Sequence, residues 1–344
     1  MQKQLAMFIA IFLTGMLVLG CNGNKISRNS DGAAKDVVVL RAVTNNPKNS
    51  GHYRGLEIYK KLVEERTGGR VTVELYSDGV MGDEEQMTEG MNNGTVDVMM
   101  AASPKYANFV PEIDLYSPPY TFKNWAHMKA VTFGPIDAKI ARAVKERRGD
   151  IYLGPLADGA RNIFTKRPVK TLGEMKGLKL RTMTGPNETN TWKALMTNPT
   201  PTAYGEVYSA LQAGLIDGAE NTFTSLLGMK FYESCKYVLR TEHSFMVLSF
   251  LMSAKAYKKV PPDLREIVVQ AGRDTCRLQV DMAIEYDRQN EEVLKRDHGV
   301  TVFEFSKEDL ARAQDLCRTI QDENARRIGM VQELAEIREL ARHY

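Results

Sequence analysis

Apolar and polar positions after residue 36 alternate between the period of a strand and that of a helix. Val37–Val43 is a β-branched run, which is typical of a buried parallel strand. Leu56, Tyr59 and Val63 then recur at helical spacing. A glycine pair after Thr67 supplies a stop signal for that helix. The pattern predicts that the folded part of the chain opens with a strand followed by a helix.

Three further segments continue this alternation. Residues 71–75 alternate as a strand, residues 84–91 have helical periodicity, and residues 94–100 return to an apolar run. The order strand–helix–strand–helix–strand predicts an α/β fold built on a doubly wound sheet. A short repeat supports two similar lobes, because a glycine, two further residues and an aspartate follow a predicted helix at both Gly94–Asp97 and Gly214–Asp217.

The stretch from Pro262 to about Asp297 lacks helix breakers apart from Gly272. It predicts either one unusually long helix or a kinked pair of helices. The stretch ends at a histidine and a glycine, after which residues 301–305 have the pattern of a strand. Ser306–Asp309 resembles a capping box that opens a further helix.

The composition is that of a soluble globular protein. The 344 residues are 43% hydrophobic and 26% charged, with a net charge of +3. This length is sufficient for two lobes with separate cores. Since the charge is nearly balanced and no run of lysine or arginine occurs, the chain is not expected to bind nucleic acid. Any preference for an anionic partner must come from a local site.

Residues 1–20 have the features of a lipoprotein signal peptide. Lys3 precedes a short apolar run over residues 8–19, which suits a signal sequence better than a transmembrane helix. Cys21 follows a small residue, as in a lipobox, and is predicted to be lipidated. Residues 21–36 are polar and predict a tether. An uncleaved anchor or a chance cysteine is the alternative.

The other cysteines and the histidines give no sign of metal chemistry. Cys235, Cys276 and Cys317 form no Cys-x-x-Cys pair, and no two of the five histidines lie three or four residues apart. Either a disulfide between Cys276 and Cys317 or three reduced, buried thiols is compatible with the sequence. Since no nucleophile elbow, P-loop or dinucleotide motif occurs, the sequence predicts no metal, no cofactor and no enzymatic activity.

Arg181 is the clearest candidate for ligand binding. In Leu178–Arg181 the two leucines share one face of a strand, so Lys179 and Arg181 share the other. An arginine at the carboxyl end of a strand lies where open α/β sheets bind ligands. Its guanidinium can hold a carboxylate through two hydrogen bonds. The alternative is an ordinary surface ion pair.

The motifs around this arginine resemble those of the extracytoplasmic solute-binding proteins of TRAP transporters. Lys176–Arg181 matches the family's Lys-Gly-Leu-Lys-Leu-Arg motif without a gap, and Asp217–Asn221 carries its Asp-Gly-Ala-Glu-Asn motif. The resemblance extends from about Val37 to the C-terminal helices. It implies a two-lobed periplasmic binding protein fold, in which each lobe is a β-sheet flanked by helices and a long helix spans the hinge. One departure is Thr222, where many members have proline, and it leaves the local loop geometry open.

The resemblance also implies lobe boundaries. Lobe I would comprise residues 37–158 and about 246–287. Lobe II would comprise residues 159–245 and about 288–344.

The ligand site implied by the resemblance lies between these lobes. Arg181 would pair with the ligand carboxylate, and Arg161 would be either a second ligand-facing arginine or part of a salt bridge at the lobe hinge. Glu220 would either order the arginines or accept a ligand hydroxyl. The full set of predicted ligand-binding residues is Arg181, Arg161, Asn221, Glu220, Tyr204, Glu84, Asn45, Thr44 and Ser103.

The implied function is that of a lipid-tethered periplasmic receptor, which would deliver an organic acid to the membrane subunits of a TRAP-type permease. The amide and carboxylate groups of the predicted site favour a hydroxylated monocarboxylate such as a uronate or an aldonate. Four-carbon dicarboxylates and keto acids remain open as ligands. A sensor that docks a receptor kinase, a two-lobed enzyme and a binding protein for an ATP-driven importer remain alternative functions.

Overall fold

The computed structural model describes residues 37–184 and 187–344. The predicted signal peptide, the tether and the lipidation site at Cys21 lie outside the described residues. Residues Val37–Tyr344 form one compact unit. Among the described residues, no helix combines the length and the apolar composition needed to cross a membrane.

Strands and helices alternate through most of this unit. The strands are β1 Val38–Val43, β2 Val71–Tyr76, β3 Val98–Ala102, β4 Ile151–Thr165, β5 Lys179–Thr182, β6 Asn198–Pro201, β7 Gly218–Asn221, β8 Tyr237–Met252 and β9 Thr301–Glu304. The helices are α1 Gly51–Arg66, α2 Glu84–Asn93, α3 Ser103–Tyr106, α4 Trp125–Thr132, α5 Pro135–Arg148, α6 Glu188–Ala194, α7 Val207–Gln212, α8 Phe223–Gly228, α9 Ala254–Lys259, α10 Arg265–His298, α11 Lys307–Ile328 and α12 Val331–Leu340.

Within the described residues, these strands form one mixed sheet in two halves. In the first half β2, β1 and β3 are parallel neighbours, and β3 pairs antiparallel with the end of β8. In the second half β6, β5 and β7 are parallel neighbours, and β7 pairs antiparallel with the end of β4. The long strands β4 and β8 pair with each other through both halves, with register shifts at three places. These two strands are therefore the physical connection between the halves.

Helix α10 is continuous over 34 residues, so the single long helix is the alternative that the structure adopts. At about 1.5 Å per residue it is roughly 50 Å long. Gly272 lies where the helix packs on β4, since a Cβ atom there would come within 2.9 Å of Leu153. The one glycine in this helix is thus explained by close packing.

The C-terminal residues pack against the first half of the sheet rather than the second. Ile328, Leu334 and Ile337 belong to the same hydrophobic cluster as Met128 and Ile140. The predicted lobe boundaries assign residues 288–344 to lobe II as a block. These boundaries stay a prediction, although the packing places Ile328, Leu334 and Ile337 against elements of lobe I.

The cysteines of the described chain are unpaired. Cys235, Cys276 and Cys317 are free and buried, so the alternative with three reduced thiols is the one present. Burial raises the pKa of the Cys317 thiol to about 12, which keeps it protonated and unreactive.

We expect Gly159→Ala to destabilise the protein by about 2–4 kcal/mol. Gly159 has a φ of +130° and lies within the register shift of β4 between Ala157 and Ala160. A Cβ atom at this position would lie 2.5 Å from the carboxyl carbon of Asp287 on α10. Urea unfolding would measure the loss.

Gly214→Ala is the matched control for this substitution. Gly214 also has a positive φ, of +73°, but a Cβ atom there meets nothing within 4 Å. Backbone strain alone should cost about 1 kcal/mol. Equal losses in the two variants would show that the contact between β4 and α10 is not what requires glycine at position 159.

Candidate functional site

A polar cavity lies between the two halves of the sheet. The space between its lining atoms is about 420 Å³, a figure that includes space open to solvent. Six of the predicted site residues line it: Asn45, Glu84, Arg161, Arg181, Tyr204 and Asn221. The first two come from the first half, next to the carboxyl ends of β1 and β3, and the others from the second half.

Arg181 is a buried cation without a counter-ion. It lies in β5 and is only 2% exposed. Its Nε and Nη2 atoms both donate to the carbonyl oxygen of Thr202, at 3.0 and 2.8 Å. No carboxylate in the described ranges forms an ion pair with it, so the surface ion pair considered from the sequence is not formed there. Burial lowers the pKa of Arg181, but an arginine side chain keeps its charge in proteins.

Arg161 differs from Arg181 because its hydrogen bonds are satisfied within the protein. Its Nε and Nη2 atoms donate to the two carboxylate oxygens of Glu220 at 2.6 and 2.7 Å. Its Nη1 atom donates to Oδ1 of Asn221 at 2.9 Å. This leaves the amide nitrogen of Asn221, which donates no hydrogen bond among the described residues, as the group available to a ligand. Arg161 thus fixes the orientation of Asn221.

Glu220 is held as a carboxylate inside the second half. Its side chain also accepts a hydrogen bond from Nε2 of His243 at 3.2 Å. Burial alone would raise the pKa of Glu220, but the charge of Arg161 and the hydrogen bonds from His243 and Arg161 outweigh it and lower that pKa below its usual range. Glu220 lines a second cavity beside the first one. In this geometry it orders an arginine, which is one of the two roles considered from the sequence.

The first half contributes Glu84 at the beginning of α2. Its Oε1 atom accepts a hydrogen bond from the backbone nitrogen of Ala102 at 2.8 Å. Burial raises the pKa of Glu84, and the hydrogen bond from Ala102 opposes this. Ser103 lies in the second cavity with its hydroxyl 3.1 Å from that of Ser249. Thr44 is buried, and its hydroxyl group accepts a hydrogen bond from the backbone nitrogen of Asn46. It does not line either cavity.

Tyr204 lines the first cavity at the side of the second half. Its hydroxyl group donates to Oγ of Ser225 at 3.3 Å, and its ring packs edge-on against Phe231. Burial raises the pKa of Tyr204 well above its usual value, so the hydroxyl remains a neutral hydrogen-bonding group.

Three ionisable residues of the cavity were missed from the sequence, besides Asn46 and Ser225. Nδ1 of His52 lies 3.2 Å from Oδ1 of Asp158, and both side chains line the cavity. Lys105 also lines it and donates a hydrogen bond to the hydroxyl of Thr184, across the gap from α3 to the segment after β5. A signal existed for Asp158, which begins the Asp-Gly-Ala-Arg segment, but nothing in the local pattern marks the other two.

Two sheet halves that share long strands around a polar cleft define a two-lobed α/β binding protein. The chain belongs to the bacterial extracellular solute-binding protein family 7, whose model matches residues 42–327. A solute-binding protein of Sulfitobacter sp. strain NAS-14.1 is 30% identical over 306 residues, which are 89% of this chain and 92% of that protein.

Solved structures of TRAP periplasmic solute-binding proteins have the same fold. One from Sulfitobacter sp. NAS-14.1, with bound α-D-taluronate, has a TM-score of 0.83 and 29% identity, covering 88% of this chain and 98% of that one. Another, from Bradyrhizobium sp. BTAi1 in complex with α/β-D-galacturonate, has a TM-score of 0.81 and 28% identity, covering 87% and 99%. These matches confirm the resemblance to TRAP solute-binding proteins and the two-lobed α/β fold.

Proposed function

We propose that this protein is a periplasmic receptor for a hydroxylated sugar acid, with uronates favoured, and that it holds the ligand carboxylate against Arg181. The buried, unpaired guanidinium of Arg181 is the observation that carries the proposal. A buried charge without a partner is costly, and a carboxylate bound in the cavity would supply the missing opposite charge. A guanidinium binds a carboxylate through two parallel hydrogen bonds, which also fixes its orientation.

The other polar groups of the cavity suit the hydroxyl groups of such a ligand. The amide nitrogen of Asn221 is a free donor, and Glu84 and Asp158 offer acceptor oxygens. The relatives with bound taluronate and galacturonate support this ligand class.

Binding rather than catalysis is the proposed role of the cleft. Closure of two lobes around a ligand is the expected motion for such a fold, and exclusion of water would strengthen the contact with Arg181. The closed receptor would deliver its ligand to TRAP-type membrane subunits. Lipidation of Cys21 would keep it at the membrane surface. To test for catalysis, the ligand would be incubated with the protein and analysed afterwards. We expect it to be recovered unchanged.

A sugar acid that occupies this cleft should raise the thermal unfolding midpoint. A ligand present at 100 times its dissociation constant stabilises the folded state by about 2.7 kcal/mol, or roughly 4 °C for about 300 folded residues. Differential scanning fluorimetry with D-galacturonate, D-glucuronate and D-galactonate would measure the shift. The neutral sugar D-galactose, which has no carboxylate, is the matched control and should leave the midpoint unchanged. An equal shift with galactose would contradict the role of Arg181.

A further inference from the structure

A second cavity lies directly behind the first. The two share Arg161, Met183 and Met246 as lining residues. The second cavity has about 400 Å³ of empty space, part of it open to solvent. Methionine side chains are flexible and adapt to a neighbouring group, so the boundary between the cavities is not a fixed backbone wall.

Glu188 lines this second cavity and has no partner in it. It is the first residue of α6 and is 8% exposed. Within the described ranges, its carboxyl group forms no ion pair or hydrogen bond, although hydroxyl side chains of Ser103, Thr191 and Ser244 line the same space. Burial raises the pKa of Glu188, and the charge of Glu220 adds to this.

A buried carboxyl group without a partner reduces the stability of a protein. Such a group in a native structure calls for an explanation, of which a binding role is one. Arg161 and Glu220 satisfy each other, so neither of them explains the glutamate at position 188. The carboxyl group of Glu188 therefore faces, without a partner among the described residues, a cavity that adjoins the proposed ligand site.

We propose that the second cavity is an extension of the ligand site, in which the carboxyl group of Glu188 binds the distal hydroxyl groups of a sugar acid held at its other end by Arg181. This inference rests on the proposed function and narrows the ligand to acids long enough to extend past Met183 and Met246, which line both cavities. Six-carbon polyhydroxy acids fit this description better than four-carbon acids.

The charges around Glu188 favour a neutral hydroxyl group as its partner. Arg161 and Arg181 both act on it as positive charges, which disfavours a ligand ammonium group. Glu220 and Asp114 act as negative charges, which disfavours a second carboxylate on the ligand. A hydroxyl group can donate to a carboxylate and accept from a carboxylic acid, so it suits either protonation state of Glu188.

Isothermal titration calorimetry with a six-carbon acid, D-galactonate, and a four-carbon acid, D-erythronate, tests the proposal. Glu188→Leu should weaken the binding of D-galactonate at least tenfold and that of D-erythronate less than twofold. Glu188→Gln, which keeps a donor and an acceptor, should retain part of the preference for the longer acid. Glu206→Gln, at an exposed position of the same half, is the control and should change neither affinity.

Equal effects on the two acids, or no effect on either, would overturn the proposal while leaving the role of Arg181 intact. If the wild-type protein bound neither of these two acids nor any uronate, the proposed function itself would be wrong. The ligand-free unfolding midpoint separates a structural role from a binding role. Because the carboxyl group has no partner to lose, Glu188→Gln should not lower that midpoint, and a lower midpoint together with unchanged binding would also overturn the proposal.

Discussion

Replacing Arg181 with alanine should reduce the affinity for a sugar acid by roughly a hundredfold to a few thousandfold, which corresponds to about 3–5 kcal/mol for a broken, buried ion pair. Among the described residues, the hydrogen bonds of its guanidinium go to one backbone carbonyl oxygen, that of Thr202. In the complex, the ligand carboxylate would be removed from water, and Arg181 would supply the positive charge that compensates it. Calorimetry with D-galacturonate or D-galactonate would measure the loss, and an affinity unchanged from wild type would contradict the proposed site.

Two further variants make this test specific. Arg181→Lys keeps the charge but loses the two-pronged geometry, so it should bind with intermediate affinity. Lys179→Ala removes a cation from an exposed position of the same strand and should leave the affinity unchanged.

The stability of Arg181→Ala without ligand is informative as well. Since Arg181→Ala removes a buried charge that has no counter-ion, its free energy of unfolding should not fall by an amount comparable to the loss in binding.

Replacing Arg161 with alanine should lower the free energy of unfolding strongly even without ligand, whereas Arg181→Ala should mainly lower the affinity. The substitution leaves Glu220, whose side chain is fully buried, with His243 as its remaining polar partner. Breaking a buried pair on one side costs about 3–5 kcal/mol, or on the order of 10 °C in the unfolding midpoint. Urea and thermal unfolding of the ligand-free protein would measure it. Arg147→Ala, which breaks a surface pair with Glu112, is the control and should cost less than about 1 kcal/mol.

The loss in Arg161→Ala should also depend on pH. The folded-state pKa of Glu220 lies below its ordinary value of 4.5, so the pair contributes its full stability above about pH 4.5 and loses it as the pH falls through the lowered pKa. The difference in unfolding free energy between wild type and Arg161→Ala should therefore shrink from pH 7 towards pH 3. A difference that stays constant over this interval would show that Glu220 is not the carboxylate concerned.

Local sequence patterns predicted several elements of the fold, but neither of the long strands β4 and β8. The helical spacing of Leu56, Tyr59 and Val63 corresponds to α1, and the run without breakers after Pro262 corresponds to α10 within a few residues. Ser306 caps α11 through a hydrogen bond from Asp309. Such features depend on residues within a few positions of one another, so a single sequence displays them.

The connection between the two sheet halves was not predictable in the same way. The pairing of β4 with β8 joins residues about 70 to 100 positions apart, such as Arg161 with Ser244 and Tyr152 with Leu251. The packing of the C-terminal helix against the first half is another long-range contact. No local period encodes which distant segments will pair, because that choice depends on how the whole core is filled.

The sequence by itself determined the first strands and helices, the long helix α10, the family of the chain and the place of Arg181 at a strand end. Only the tertiary structure decided which charged groups satisfy each other. Arg161 and Arg181 look equivalent as residue types, yet Glu220 neutralises Arg161, whereas Arg181 has no counter-ion in the part of the chain that the structure describes. The reason is physical: the energy of a charge depends on its burial and on the groups within a few ångströms, and these neighbours come from distant parts of the chain.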